Sequence, residues 1–212
     1  MNTKKRLCIV GTGGFARETL VCLLDGQRKL NLKIEELACF MEEDKYLTEK
    51  NIMGIEVIPQ SVFSPEFYDV VVAIGDPIKR KRVVETLPPE TTYAKIVHPS
   101  AIISKWVEIG DDAIITSGVI ITCNIKIGKH SQLNLHTTIG HDCIIGDYFT
   151  TAPGAKISGN CNFGDNVYLG TNSSVRQGIS ICDDVTIGMG GVVVKDIYES
   201  GVYVGNPLRK IR

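Results

Sequence analysis

Nowhere does this chain hold 18 successive apolar residues, so no membrane-spanning helix is expected. The N-terminal MNTKKRLCIVGTGG starts basic, but its apolar run, LCIV and a glycine, is too short for the core of a signal peptide. Charge of either sign is not in excess. With 23 Lys and Arg against 24 Asp and Glu, no broad basic field exists to hold nucleic acid or an anionic membrane, which favours small-molecule partners. Paired cysteine spacing is also missing. The seven cysteines (8, 22, 39, 123, 143, 161 and 182) are odd in number and form no CxxC, which points to neither a disulfide framework nor a zinc site. Reduced, buried thiols in a cytoplasmic protein are expected. What the chain does have is 212 residues, 43% of them hydrophobic, enough for a real core in one large or two small domains.

The first half alternates strand and helix signals. RLCIV (6–10) meets GTGG (11–14), and FARETLVCLLDGQRK then carries Leu20, Leu23 and Leu24 at helical spacing. ELACFM (36–41) reads as a second strand, YDVVVAIG (68–75) as a third apolar enough for burial on both faces, and DPIKRKRVVETL (76–87) as the next helix. A small parallel sheet flanked by helices follows, over residues 1–92.

From Val97 onward, over a second domain of 93–212, the period is six. Every sixth residue is Val97, Ile103, Ile109, Ile115, Ile121, Ile127, Leu133, Ile139, Ile145, Thr151, Ile157, Phe163, Leu169, Val175, Ile181, Ile187 and Val193, and Thr151 alone is not large and apolar. A hexad is too short for a helical repeat but suits one strand plus one corner of a β-solenoid, with aliphatic ladders stacked inward.

This run resembles the hexapeptide repeat of left-handed β-helix acyltransferases, in which three hexads make an 18-residue coil. With IVGTGGFARETL and AIGDPIKRKRV ahead of it, the chain is similar to bacterial acetyltransferases of nucleotide-linked aminosugars and to their relatives of the sialic acid O-acetyltransferase type. The resemblance implies a Rossmann-like α/β domain that holds the sugar nucleotide, an all-β left-handed parallel β-helix, acetyl-CoA as co-substrate, no metal, and a homotrimer with active sites between subunits.

Acetyl transfer from a thioester requires a base for the nucleophile's proton and a donor for the oxyanion. Among the four histidines, His98 precedes a proline at the first corner and reads as structural or exposed, and His130 reads as surface. His141 is followed by Asp142, whose carboxylate can fix the ring's tautomer. Adjacent residues of a strand point to opposite faces, so the pairing needs a bend, which Gly140 is expected to supply. In the resembling enzymes a histidine and acidic residue in this setting are the base and its helper, which carries onto His141 and Asp142. His136 is given a substrate-lining or packing role. Eighteen residues beyond His141 stands Gly159, whose uncovered N–H suits an oxyanion or thioester carbonyl. The resemblance implies acetyl-CoA contacts at Thr150, Gly159, Thr171, Met189, Arg209 and Lys210. The glycine loop invites phosphate, although GTGGFA is an incomplete GxGxxG. The resemblance places the nucleotide sugar near Gly13, Gly14, Phe15, Glu42, Glu43 and Asp76, with Arg80 as counter-charge. The expected function is N-acetylation of a nucleotide-linked 4-amino-4,6-dideoxyhexose for surface polysaccharide or glycan biosynthesis. The alternatives are O-acetylation of a sugar of the sialic acid kind and a trimeric sugar-nucleotide-binding scaffold without catalysis.

Overall fold

The computed structural model describes residues 5–27 and 33–212. Residues 28 and 29 of the expected first helix, and the basic start at 1–4, lie outside the described residues. The first half is a six-stranded sheet in the order β3-β4-β2-β1-β5-β6, formed by β1 (Arg6–Val10), β2 (Ala38–Glu42), β3 (Asn51–Ile52), β4 (Ile55–Pro59), β5 (Tyr68–Val72) and β6 (Thr92–Tyr93). All neighbours are parallel except the edge pair β3 and β4. Helices α1 (Gly14–Gln27), α2 (Ile34–Leu37) and α3 (Pro77–Thr86) connect them. Three differences from the expected elements have local causes. Residues 36 and 37 finish the helical turn α2, so the second strand begins only at Ala38. The strand β4, which the periodicity of the short IEVIP segment did not announce, extends the sheet beside β2. The third strand stops at Val72 because side chains of the second half take over its edge: the Val72 N–H donates to Asp112 (2.8 Å) and its carbonyl accepts from Gln132 (2.7 Å).

From Ile96 the chain winds into a parallel β-solenoid with three faces, and residue i pairs with i+18 on each. Ile115 stands over Leu133, Ile121 over Ile139 and Ile127 over Ile145. Every hexad position from Ile115 to Val193 is at most 5% exposed, including Thr151, and Phe149 packs edge-on to Phe163 at 5.1 Å between ring centres. The corners turn through left-handed residues: Asp112, Asn124, His130, His136, Asp142, Tyr148, Asn160, Asn166, Asn172 and Asp184 all have φ between 54° and 58°. Most are Asn or Asp, the types that best tolerate this region without being glycine. Strands Gly201–Val204 and Arg209–Lys210 close the last coil, the second of them antiparallel to the first. No helix among the described residues is long and apolar enough to cross a membrane.

Because the stacked ladder has no slack, removing a fully buried ring from it leaves a cavity. Phe149→Ala should lower the unfolding free energy by about 3 to 5 kcal/mol, whereas Lys126→Ala on the outer surface should change it by less than about 0.5 kcal/mol. Urea unfolding of both variants checks this, and equal midpoints would contradict the inward ladder.

Candidate active site

The stacking rule places residues 123, 141, 159 and 177 above one another at the corner that follows the second face. Here His141 Nδ1 lies 2.7 Å from Asp142 Oδ2, and both side chains are about half exposed. The bend that brings neighbours to one side is not at Gly140, as expected. It is at Asp142 itself, with φ 58°. Gly140 serves close packing instead: a Cβ there would lie 2.6 Å from the Gly159 nitrogen. An ionised carboxylate only accepts hydrogen bonds, so the neutral ring carries its proton on Nδ1 and leaves the Nε2 lone pair free. The Asp142 carboxyl also accepts from the Asn124 amide at 3.2 Å. First the His141 ring and then Asn124 hold it below the usual carboxylate range. The imidazole lies over Gly159, where a Cβ would come within 2.6 Å of Nε2. Any larger residue at 159 would therefore push the ring aside. Among the described residues no backbone hydrogen bond uses the Gly159 N–H, and the residue is buried beneath the imidazole.

A second cluster forms where the glycine loop meets the first face. Phe15, Gly75, Asn134, Thr151, Tyr168 and Thr171 help to enclose a cleft of about 200 Å³. A Cβ at Gly13 or Gly14 would meet nothing within 4 Å, so that approach is open from outside. On the other side of the loop, Thr12, Arg17, Glu42, Tyr46 and Glu49 border a smaller cavity of about 100 Å³. Glu42 is tied to the loop, accepting from Thr12 at 2.6 Å. Glu43 turns away to Lys45 at 2.8 Å. Asp76 caps α3 by accepting from the Lys79 N–H at 2.9 Å and borders a third groove of about 540 Å³ with Tyr168 and Asp184.

Several expected roles change. Arg80 is fully buried and cannot face a phosphate; it donates to the carbonyls of Ile74 (2.6 Å) and Tyr148 (2.7 Å) and to the Thr150 hydroxyl (2.8 Å). The exposed cation beside the glycine loop is Arg17, detectable in the sequence only from its place in the first turn of α1. Thr150 is 4% exposed, accepts from Arg80 and borders the cleft beside Phe15 and Thr171. His130 is not on the surface: it is 7% exposed, bonds Asp112 at 2.7 Å, and stacks on Tyr148 under the first domain. His98 is structural, joining Asp25 of α1 (2.9 Å) to Ser100 (2.7 Å). His136 is exposed, at a different corner from His141, with its ring against Gly118. Thr171 belongs to the cleft beside Phe15, and Met189, 77% exposed, is stacked one coil above it. Arg209 and Lys210 are exposed on the closing strand, where Lys210 pairs with Glu199 at 3.0 Å. Among the described residues no group of three or more His, Cys, Asp or Glu side chains is arranged to hold a metal.

Residues 6–87 match the PglD N-terminal domain, and residues 101–123 and 160–195 match the hexapeptide repeat of succinyl-transferase. GDP-perosamine N-acetyltransferase of Escherichia coli O157:H7 is 32% identical over 176 residues, 81% of this chain and 78% of that protein. WeeI of Acinetobacter baumannii has the same fold with a TM-score of 0.89 at 28% identity, over 98% of this chain and all of that one. PerB of Caulobacter crescentus, solved with CoA and GDP-perosamine, superposes with a TM-score of 0.86 at 24% identity over 99% of each chain.

The depressed Asp142 carboxyl has a measurable signature. Its contribution to stability is complete above the unfolded value of about 3.9 and is lost as pH falls through the lower folded value. The melting temperature of Asp142→Asn should therefore fall below that of the parent at pH 6, with the gap narrowing as pH is lowered below about 3.9. A gap that stays the same as the pH is lowered would mean that the His141–Asp142 contact does not form in solution.

Proposed function

The chain belongs to the hexapeptide-repeat acyltransferases that carry a PglD N-terminal domain, and from that premise we propose that it moves acetyl from acetyl-CoA to the 4-amino group of a nucleotide-linked 4-amino-4,6-dideoxyhexose. The observation that carries the reading is the His141–Asp142 pair lying over Gly159 at the same height on the column as the cleft beneath the glycine loop. The relative that covers most of this chain at 32% identity is named for N-acetylation of such a nucleotide-linked aminosugar.

The free amine attacks the thioester carbonyl carbon. His141 Nε2 takes the proton released by nitrogen, Asp142 stabilises the resulting imidazolium through Nδ1, and the Gly159 N–H donates to the oxyanion. Collapse breaks the carbon–sulfur bond, and the imidazolium returns its proton to the departing thiolate. Amide and free CoA are the products. The pyrophosphate would rest on Gly13 and Gly14 with Arg17 as counter-charge, the nucleoside beside Glu42, and the hexose in the cleft of Phe15 and Asn134. CoA would pass Gly159, Thr171 and Met189, with Arg209 and Lys210 near its phosphates.

One chain does not complete this site. Asn134 and His141 occupy consecutive corners of one coil, separated by about six extended residues or roughly 20 Å. A three-fold rotation about an axis parallel to the column keeps height unchanged, so it can set His141 of the partner subunit against the cleft. Exposed apolar side chains stand beside the His141 corner to meet such a neighbour: Trp106 (62% exposed) and Ile144 (58%), which share a groove with Asp142. The proposed assembly is a homotrimer with three sites between subunits.

His141→Asn should lower turnover at least about a hundredfold while the oligomer persists in sedimentation; unchanged turnover would remove His141 from the reaction. Thiol release and product mass, followed with UDP-, dTDP- and GDP-linked 4-aminosugars, the free aminosugar and sialic acid, identify the acceptor, and a preference for sialic acid would overturn the N-acetyl reading. Mixing subunits of His141→Asn with subunits of Gly14→Asp, each inactive alone, should restore part of the activity after co-refolding. No recovery would contradict a site shared between chains.

A further inference from the structure

The junction of the two halves is polar, buried and specific in height. Beyond β6 the outer edge of β5 is completed by solenoid side chains, with Asp112 and Gln132 gripping the N–H and carbonyl of Val72. One coil higher, Arg80 of α3 reaches the Tyr148 carbonyl and the Thr150 hydroxyl while it also holds the Ile74 carbonyl, next to Gly75 of the substrate cleft. Arg80 and Asp112 are fully buried and Gln132 is 1% exposed. Burial pulls the Arg80 guanidinium down to about 10, a cost that an apolar side chain of similar size would avoid. A buried charge with fixed hydrogen-bond directions is a poor source of stability but a strong source of register. A slip of one coil, about 4.8 Å, would take Asp112 and Gln132 away from the Val72 groups and the Thr150 hydroxyl away from the guanidinium.

We infer that Arg80, supported by Gln132, is a positioning residue for acetyl transfer: it sets the height of the sugar cleft on the column, and with it the alignment of the acceptor amine with His141 of the partner subunit. The inference rests on the shared-site reading above. The guanidinium bonds loop and solenoid at once because its donors diverge in a rigid plane, which a lysine ammonium does not reproduce. Misplacement of about 1 Å far from the chemistry can cost about a hundredfold in rate without loss of binding. The clasp partners Gln132 and Thr150 also line the cleft beneath the glycine loop, so the clasp is continuous with the cleft wall.

The test is steady-state kinetics of Arg80→Lys and Gln132→Leu with both substrates varied, alongside melting temperature and oligomeric state. In Arg80→Lys, kcat should fall at least about tenfold while KM for acetyl-CoA stays within about twofold and KM for the sugar nucleotide within about threefold. Gln132→Leu should show the same split at about threefold in kcat. A lowered melting temperature with parental kcat would make the clasp merely structural and overturn the inference. If Arg80→Lys fails to fold, a parental kcat in Gln132→Leu does the same. A parent protein that acetylates no nucleotide-linked aminosugar would instead defeat the underlying reading, so the two failures are told apart.

Discussion

The backbone ladder that joins each residue to the one 18 positions later governs the rest of the molecule. The coils turn their corners through left-handed residues and glycines, with φ between 54° and 79°, and every face repeats the same register. The chain is thereby stacked without freedom to shift by one residue, since such a shift would carry the aliphatic ladder out of the core. Chemistry on this scaffold is a matter of which residues share a vertical line. His141 and Gly159 share one, and the absence of a side chain at 159 makes room for the imidazole.

The left-handed corner also explains how two adjacent residues act together. In an extended strand His141 and Asp142 would diverge. At a corner with Asp142 at φ 58° the carboxylate returns to the imidazole and fixes its tautomer. The same backbone position carries His130 on another corner, but there the first domain covers the ring and Asp112 bonds it. The two pairs are built differently, His141 and Asp142 as neighbours at one corner and His130 and Asp112 stacked 18 residues apart, one exposed and the other buried. Proximity of a histidine to a carboxylate does not decide its role; what lies over it does.

Docking of the α/β half turns a solenoid surface into a cleft. The sheet edge is finished by side chains from the column, so the two halves are joined by directional bonds rather than by apolar contact alone. This holds the glycine loop and the first face at fixed separation, with the open glycines 13 and 14 facing outward. His141 sits at the next corner of the column, away from this cleft within one chain.

Period and local type were readable from sequence alone. The six-residue aliphatic beat specified the solenoid because burial on a repeating corner tolerates little else, and the strand, glycine loop and helix at the start were legible from alternating apolar runs. His141 and Asp142 stood out because the pair is unusual within such a repeat. Only the tertiary structure decided that Asp142, not Gly140, makes the bend, that Arg80 and Thr150 are spent on each other, that Glu43 faces Lys45, and that His130 is covered. The reason is physical: periodicity records which side chains face inward within an element, while the burial of Arg80 and His130 depends on contacts between halves as many as 70 residues apart, which no local pattern encodes.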